Sequence, residues 1–184
     1  MKTGFGSSIG IEVKRRPIIQ SIWDVVCEDR NGKEKWHEVC KNLVTNQGLQ
    51  TLLDVMFLAG TQIVVADWLV ALTEDGASAT SASTYAVPVY TECTAYAGNR
   101  KAYVGVRSAQ TITNNASKAV FVINATKSLL GGALVGGAAA GLDTPGNTAG
   151  ANCKLYCSID FSALKPVVDT DTVSITITLT AADA

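Results

Sequence analysis

Apolar residues recur at every second position through much of this chain, and at every third and fourth position in one place only. The alternation is clearest near the C-terminus. Cys153, Leu155, Cys157, Ile159 and Phe161 alternate with Lys154, Tyr156, Ser158 and Asp160. Val173, Ile175, Ile177 and Leu179 alternate with Thr172, Ser174, Thr176, Thr178 and Thr180. Successive strand side chains point to opposite faces, so each run predicts a strand with one core face and one polar face. Asp169-Thr170-Asp171 predicts the turn into the last strand. Residues 18–28 and 35–43 predict two more strands joined at Asn31-Gly32, a pair that tolerates positive φ. Trp23, Val25 and Cys27 share one face there, with Trp36 and Cys40 opposite. Further strands are expected over 63–72, 87–96, 100–107 and 119–126, and a glycine-weakened one over 128–137. Pro88 confines its strand to an edge or a beginning. Residues 109–118 read as a polar connection.

The exception is residues 46–59. Leu49, Leu52, Leu53, Met56 and Phe57 follow an i, i+3, i+4, i+7, i+8 pattern. Thr45 or Asn46 is the expected N-cap and Gly60 the left-handed stop. So short a helix is marginal alone. Its stripe is therefore expected to pack on its own domain, and Leu53→Asp is expected to prevent folding. About eight to ten short strands with one amphipathic helix predict a mainly β protein, an antiparallel β-sandwich or jelly-roll-like body. The expected organisation is an N-terminal arm over 1–17 and a single β-rich domain over 18–184.

The 184 residues are 47% hydrophobic and only 17% charged, with a formal net charge of −1. Disorder of the whole chain is excluded by that apolar content. The charge balance argues against nucleic acid as a partner. No apolar run is long enough to span a bilayer as a helix, and the run over 129–142 is too short and too rich in glycine. Five cysteines and no visible export signal predict free thiols and synthesis in a reducing cytoplasm. The one histidine, His37, falls on a hairpin strand, where a surface or packing role is expected.

No phosphate-binding loop, dinucleotide fingerprint, nucleophile elbow or metalloprotease helix is present. Asp169 and Asp171 are spaced as calcium ligands can be, but no further ligands are evident. Arg100, Lys101, Tyr103 and Arg107 interleave basic and aromatic residues, which suggests a protein contact or a solvated face. No catalytic, cofactor or metal residue is assigned. Three segments are candidate partner contacts. They are the basic end of the arm (Lys14, Arg15, Arg16), the small-residue loop after the third expected strand (Thr73, Glu74, Asp75, Tyr85), and the glycine-rich stretch with Leu134 and Val135.

The run NLVTNQGLQTLLDVMFLAGTQ followed by DWLVAL resembles a family of tailed-bacteriophage virion proteins. YTECTAY, RKAYV, NNASKAVFVINAT, GGALVGG and FSALKPVVDTDTVSITITLTAAD fit the same family in the same order, and together they cover most of the chain from about Asn42. The resemblance implies a structural protein located in the virion and assembled in the host cytoplasm. Head decoration, or cement, is the expected role, with the major capsid protein as partner and a homo-oligomer, first a trimer, as the assembly. A tail-associated adaptor or fibre-attachment role is the alternative. A third reading is a carbohydrate- or host-surface-binding module using Trp36, Trp68, Tyr85, Tyr90 or Tyr96.

Overall fold

A strand that is apolar on one face needs one packing partner, and a strand that is apolar on both needs two. This chain contains both kinds, and the difference sets its architecture. The computed structural model describes residues 17–74 and 76–183. Its elements are β1 (Pro17–Glu28), β2 (Glu34–Lys41), β3 (Leu43–Val44), α1 (Asn46–Phe57), β4 (Trp68–Glu74), β5 (Thr91–Glu92), β6 (Lys101–Ala102), β7 (Val106–Ser108), β8 (Thr111–Thr113), β9 (Ala119–Val122), β10 (Lys127–Gly136), β11 (Lys154–Val167) and β12 (Thr172–Asp183). Two antiparallel sheets pack as a β-sandwich. Sheet A runs β2-β1-β12-β8-β7, with β9 also on β12; sheet B runs β3-β11-β10-β4-β5, with β6 also on β4.

The first and last long strands lie side by side in sheet A. Their register pairs Trp23 with Ile177, Val25 with Ile175 and Cys27 with Val173. All six side chains are fully buried, so the alternating pattern places its apolar set on the inner face. Val70, Leu72, Leu129, Cys157 and Ile159 meet them from sheet B. Each fully buried large side chain contributes roughly 1.5–3 kcal/mol relative to exposure.

Sheet B is also covered on its outer face. Leu69, Ala71, Ala133, Val135 and Leu155 pack there beneath Tyr85, Tyr90, Leu142 and Cys153 from the flanking loops. This second layer explains why β4 and β10 are apolar without alternation. Two of the three β10 glycines lie where bulky rings press on the strand. A Cβ at Gly132 would sit 2.9 Å from Trp23 Cζ3, and one at Gly136 would sit 2.5 Å from Trp68 Cε3. The glycine-rich run is therefore a central strand between β4 and β11.

Several sequence expectations change. Pro17 begins β1, paired with Asp183, because the first residue of a strand tolerates the missing N–H. The strand expected over 63–72 begins only at Trp68, after a 3-10 turn over Val65–Asp67. The one expected over 87–96 shrinks to Thr91–Glu92 and a single bridge from Tyr96 to Ile123, with Val89 at φ 75 just after Pro88. Residues 100–107 split between sheets, with β6 in sheet B and β7 in sheet A. The polar connection over 109–118 contains β8, which pairs with the end of β12.

The exposed edge of β11 is capped by side chains from the other sheet. Ser162 donates its backbone N–H (3.1 Å) and its hydroxyl to the Glu38 carboxylate, and Lys165 pairs with it at 3.0 Å. Trp36 Nε1 donates to Pro166 O at 3.1 Å. Occupied edge groups are not available to a stray strand.

Candidate interaction surface

The helix is fastened firmly at its start. Thr45 Oγ1 accepts the Gly48 N–H at 3.0 Å, and its own hydroxyl hydrogen is directed at the carbonyls of Leu155 and Tyr156. The Thr45 N–H donates to Tyr156 O at 3.0 Å, and Asn46 N to Ser81 O at 2.8 Å. Gln47 Oε1 accepts from Tyr85 N (3.0 Å) and Leu155 N (2.7 Å). Gly48 is the one buried residue of α1. A Cβ there would run into the Tyr156 carbonyl and lie 3.0 Å from its Cα. The absent side chain thus lets the first turn rest directly on β11.

The helix ends at Phe57, two residues earlier than expected, and its left-handed stop comes one residue earlier. Ala59, at φ 53, takes the left-handed conformation, and both Leu58 and Gly60 donate to Asp54 O at 3.0 and 2.9 Å. Gly60 matters for clearance instead, since a Cβ there would lie 3.0 Å from the Asp54 carbonyl carbon.

The expected packing of the stripe on its own domain does not occur. Of its members only Leu52 joins the main core. Leu53 is 55% exposed, Met56 70%, Phe57 71% and the following Leu58 75%. Leu49 and, beyond the helix, Val64 are also exposed. The reason is geometric: the glycine contact seats the first turn directly on β11, while the second half of α1 lies over a cavity, with Leu53 and Phe57 left exposed. Amphipathic spacing reports that a face needs a partner and does not say whether the partner lies in the same chain. An exposed apolar face on an anchored helix is a candidate interaction surface.

Beneath the second half of α1 lies a cavity of about 340 Å³ at the open end of the sandwich. Leu52, Val55 and Met56 form one wall, Trp68 and Tyr156 of sheet B another, and Ile112 and Leu179 of sheet A the third. Trp68 stands edge-on to Tyr156 with ring centroids 5.8 Å apart. Arg107 sits at the rim.

Most of the partner contacts expected from sequence lie elsewhere. Lys14, Arg15, Arg16 and Asp75 lie outside the described residues. Thr73, Tyr85, Leu134 and Val135 are buried within the chain itself, and Glu74 is half-buried and paired with Lys127 at 2.8 Å. Tyr85 and Val135 belong to the layer over the outer face of sheet B, while Leu134 faces the core between the sheets and lines the cavity under α1. The residues that do form an apolar surface were read as core, and the nearest signal was the continuation of the stripe into Leu58.

Arg100, read as a contact or solvated-face residue, is a buried staple. Its Nε and Nη2 reach the two Glu92 oxygens at 2.8 and 2.6 Å, Nη1 reaches Tyr85 Oη (2.9 Å) and Leu142 O (2.6 Å), and Nη2 also reaches Asn147 O (2.9 Å). One guanidinium thereby ties β5 to both loops that cover sheet B. Burial opposes its charged form, but the Glu92 carboxylate and the Tyr85 hydroxyl outweigh burial and hold its pKa above the ordinary value.

Asp171 is buried with its carboxylate already engaged by Val168 N (2.8 Å) and the Lys35 ammonium. It anchors the turn before β12, so the calcium reading for Asp169 and Asp171 gains nothing. His37 makes a 2.7 Å cross-strand contact with Asp24 on the outer face of sheet A. Tyr85, Tyr90 and Tyr96 are buried, and Trp36 packs on Phe161 at 5.5 Å, so the five aromatics do not form a sugar platform. The thiols are free, and all but the half-buried Cys40 are buried. Burial raises the pKa of Cys27 and of Cys157 to about 12.

Comparison with protein-family models, with characterised proteins and with solved structures finds no match for this chain.

Proposed function

We propose that this chain is a non-enzymatic structural protein of a bacteriophage virion, acting as a decoration protein that binds the outer face of the capsid shell. The observation that carries the reading is the apolar face of α1 over Leu53, Met56, Phe57 and Leu58, exposed on a helix whose first turn is bonded to two other segments. An anchored helix with an open apolar face is built to meet a groove or a second copy of itself. Repetition around a closed symmetry multiplies such a contact, and a homo-oligomer, first a trimer, is the assembly that fits this use. The sequence resemblance described above supplies the virion as the setting. The capping of the β11 edge by Glu38 and Trp36 suits a protein packed at high local density, since it discourages indiscriminate strand pairing.

The test is to quantify this chain in purified particles against the major capsid protein, and to compare the heat resistance of particles with and without it. Many copies per particle, with resistance lost on removal, are expected. Absence from particles would overturn the virion reading. A small ring of copies at the portal or tail would overturn the decoration role and favour a tail adaptor.

A further inference from the structure

The 340 Å³ cavity between the two sheets and the second half of α1 is open to solvent, although its walls are mostly apolar. A space of this size and lining lies at the small end of ligand pockets, roughly 300–1,000 Å³. Leu52 and Val55 of α1, Ile112 and Leu179 of sheet A and Leu134 of sheet B offer an apolar body contact from every side but the opening. Such a lining alone says only that the ligand is apolar. Two polar groups in it say more.

The first is Arg107, the one charged residue among the described residues of the lining. No described residue forms an ion pair with it. The second is Tyr156. It is only 5% exposed, yet its hydroxyl has no hydrogen-bond partner among the described residues. A buried phenol ordinarily finds one. Tyr96 also has an unpartnered hydroxyl, but that atom is sealed inside the protein, whereas the Tyr156 hydroxyl is not. Tyr103, in the same wall, already donates to Ile112 O at 3.2 Å. The cavity thus holds one free cation and one free hydroxyl donor against apolar walls. A second hollow shares Thr51, Val55, Gln62 and Ile63 with it and carries Asp54 and Asp67 against Lys154. That surplus of negative charge repels an anionic head from the shared side and leaves Arg107 as the place for it.

We propose that this cavity binds a medium-chain aliphatic carboxylate, with the chain against the apolar walls and the carboxylate paired with Arg107 and accepting the Tyr156 hydroxyl hydrogen. A carboxylate matches the guanidinium fork and takes a further donor without a proton of its own. The site lies on the inner side of α1, away from the exposed Leu53 and Phe57. This inference goes beyond the virion reading and does not depend on it, because purified protein alone tests it.

The experiment is calorimetric titration of the full chain with decanoate below its micelle concentration. One saturable site per chain is expected, with tryptophan emission shifting to the blue as the chain displaces water from Trp68. Binding that does not saturate, or no binding, overturns the proposal. Decylamine, with the same chain and a cationic head, should bind several-fold more weakly; equal or tighter binding overturns the anionic assignment. Arg107→Gln changes an exposed side chain and should leave the fold intact. It should weaken decanoate about fivefold and leave decanol unaffected. An equal effect on both ligands, or none on either, overturns the Arg107 pairing. Tyr156→Phe removes only the unpartnered oxygen and should also weaken decanoate about fivefold. Unchanged affinity in that variant overturns the Tyr156 contact.

Discussion

Leu53→Asp separates a helix that serves the chain's own core from one that serves a partner. Leu53 is 55% exposed, so a little under half of its side chain is removed from water. Full burial of leucine is worth roughly 1.5–3 kcal/mol, and the loss here is therefore about 1 kcal/mol. The lower helix propensity of aspartate adds ~0.5 kcal/mol. The sum, about 1.5 kcal/mol, is small beside the roughly 5–15 kcal/mol of an ordinary domain. For a chain of this length it corresponds to a fall in Tm of about 3–6 °C. Circular dichroism and chemical denaturation should show a folded protein with a nearly unchanged slope, while sedimentation and particle binding should show lost assembly. A variant that cannot fold would mean that the stripe is core after all, and the reasoning from exposure would be wrong.

Three further outcomes follow from the structure. Arg100→Met leaves the Glu92 carboxylate buried without its guanidinium; it should destabilise by about 3–5 kcal/mol in denaturant titration and expose the loops over sheet B to protease. At pH 8 a thiol reagent should modify no more than the half-buried Cys40 in the native protein and all five cysteines after unfolding, because the other four are buried out of its reach. The Glu38 carboxyl is held below its ordinary pKa, first by the Ser162 hydroxyl and then by Lys165. Its contribution is therefore present above the ordinary carboxylate range and lost as pH falls through and below it; Glu38→Gln should flatten that part of the stability–pH curve.

How much could be read from the sequence depended on whether one face or two were buried. β12 was legible because its outer face is threonine and serine while Val173, Ile175 and Ile177 face the core. β4 and β10 were harder, since loops cover the outer face of sheet B and erase the period-two signal. The glycines of β10 looked like a weakness until the Trp23 and Trp68 rings occupied the space. β8 was missed because three residues of Thr111-Ile112-Thr113 carry no pattern beyond the pairing that β12 offers them. The exposed apolar face of α1 was legible as a helix and illegible as a surface. Arg100 was misread because its partners come from Glu92, Tyr85, Leu142 and Asn147, an arrangement that only the fold assembles.

In the proposed function, the exposed face of α1 is where this chain joins a larger assembly. Imaging purified particles at side-chain resolution tests it most directly. Many copies outside the shell are expected, each with Met56, Phe57 and Leu58 buried against the shell or a neighbouring copy. Copies whose α1 face points into solvent, or particles without the chain, would contradict it.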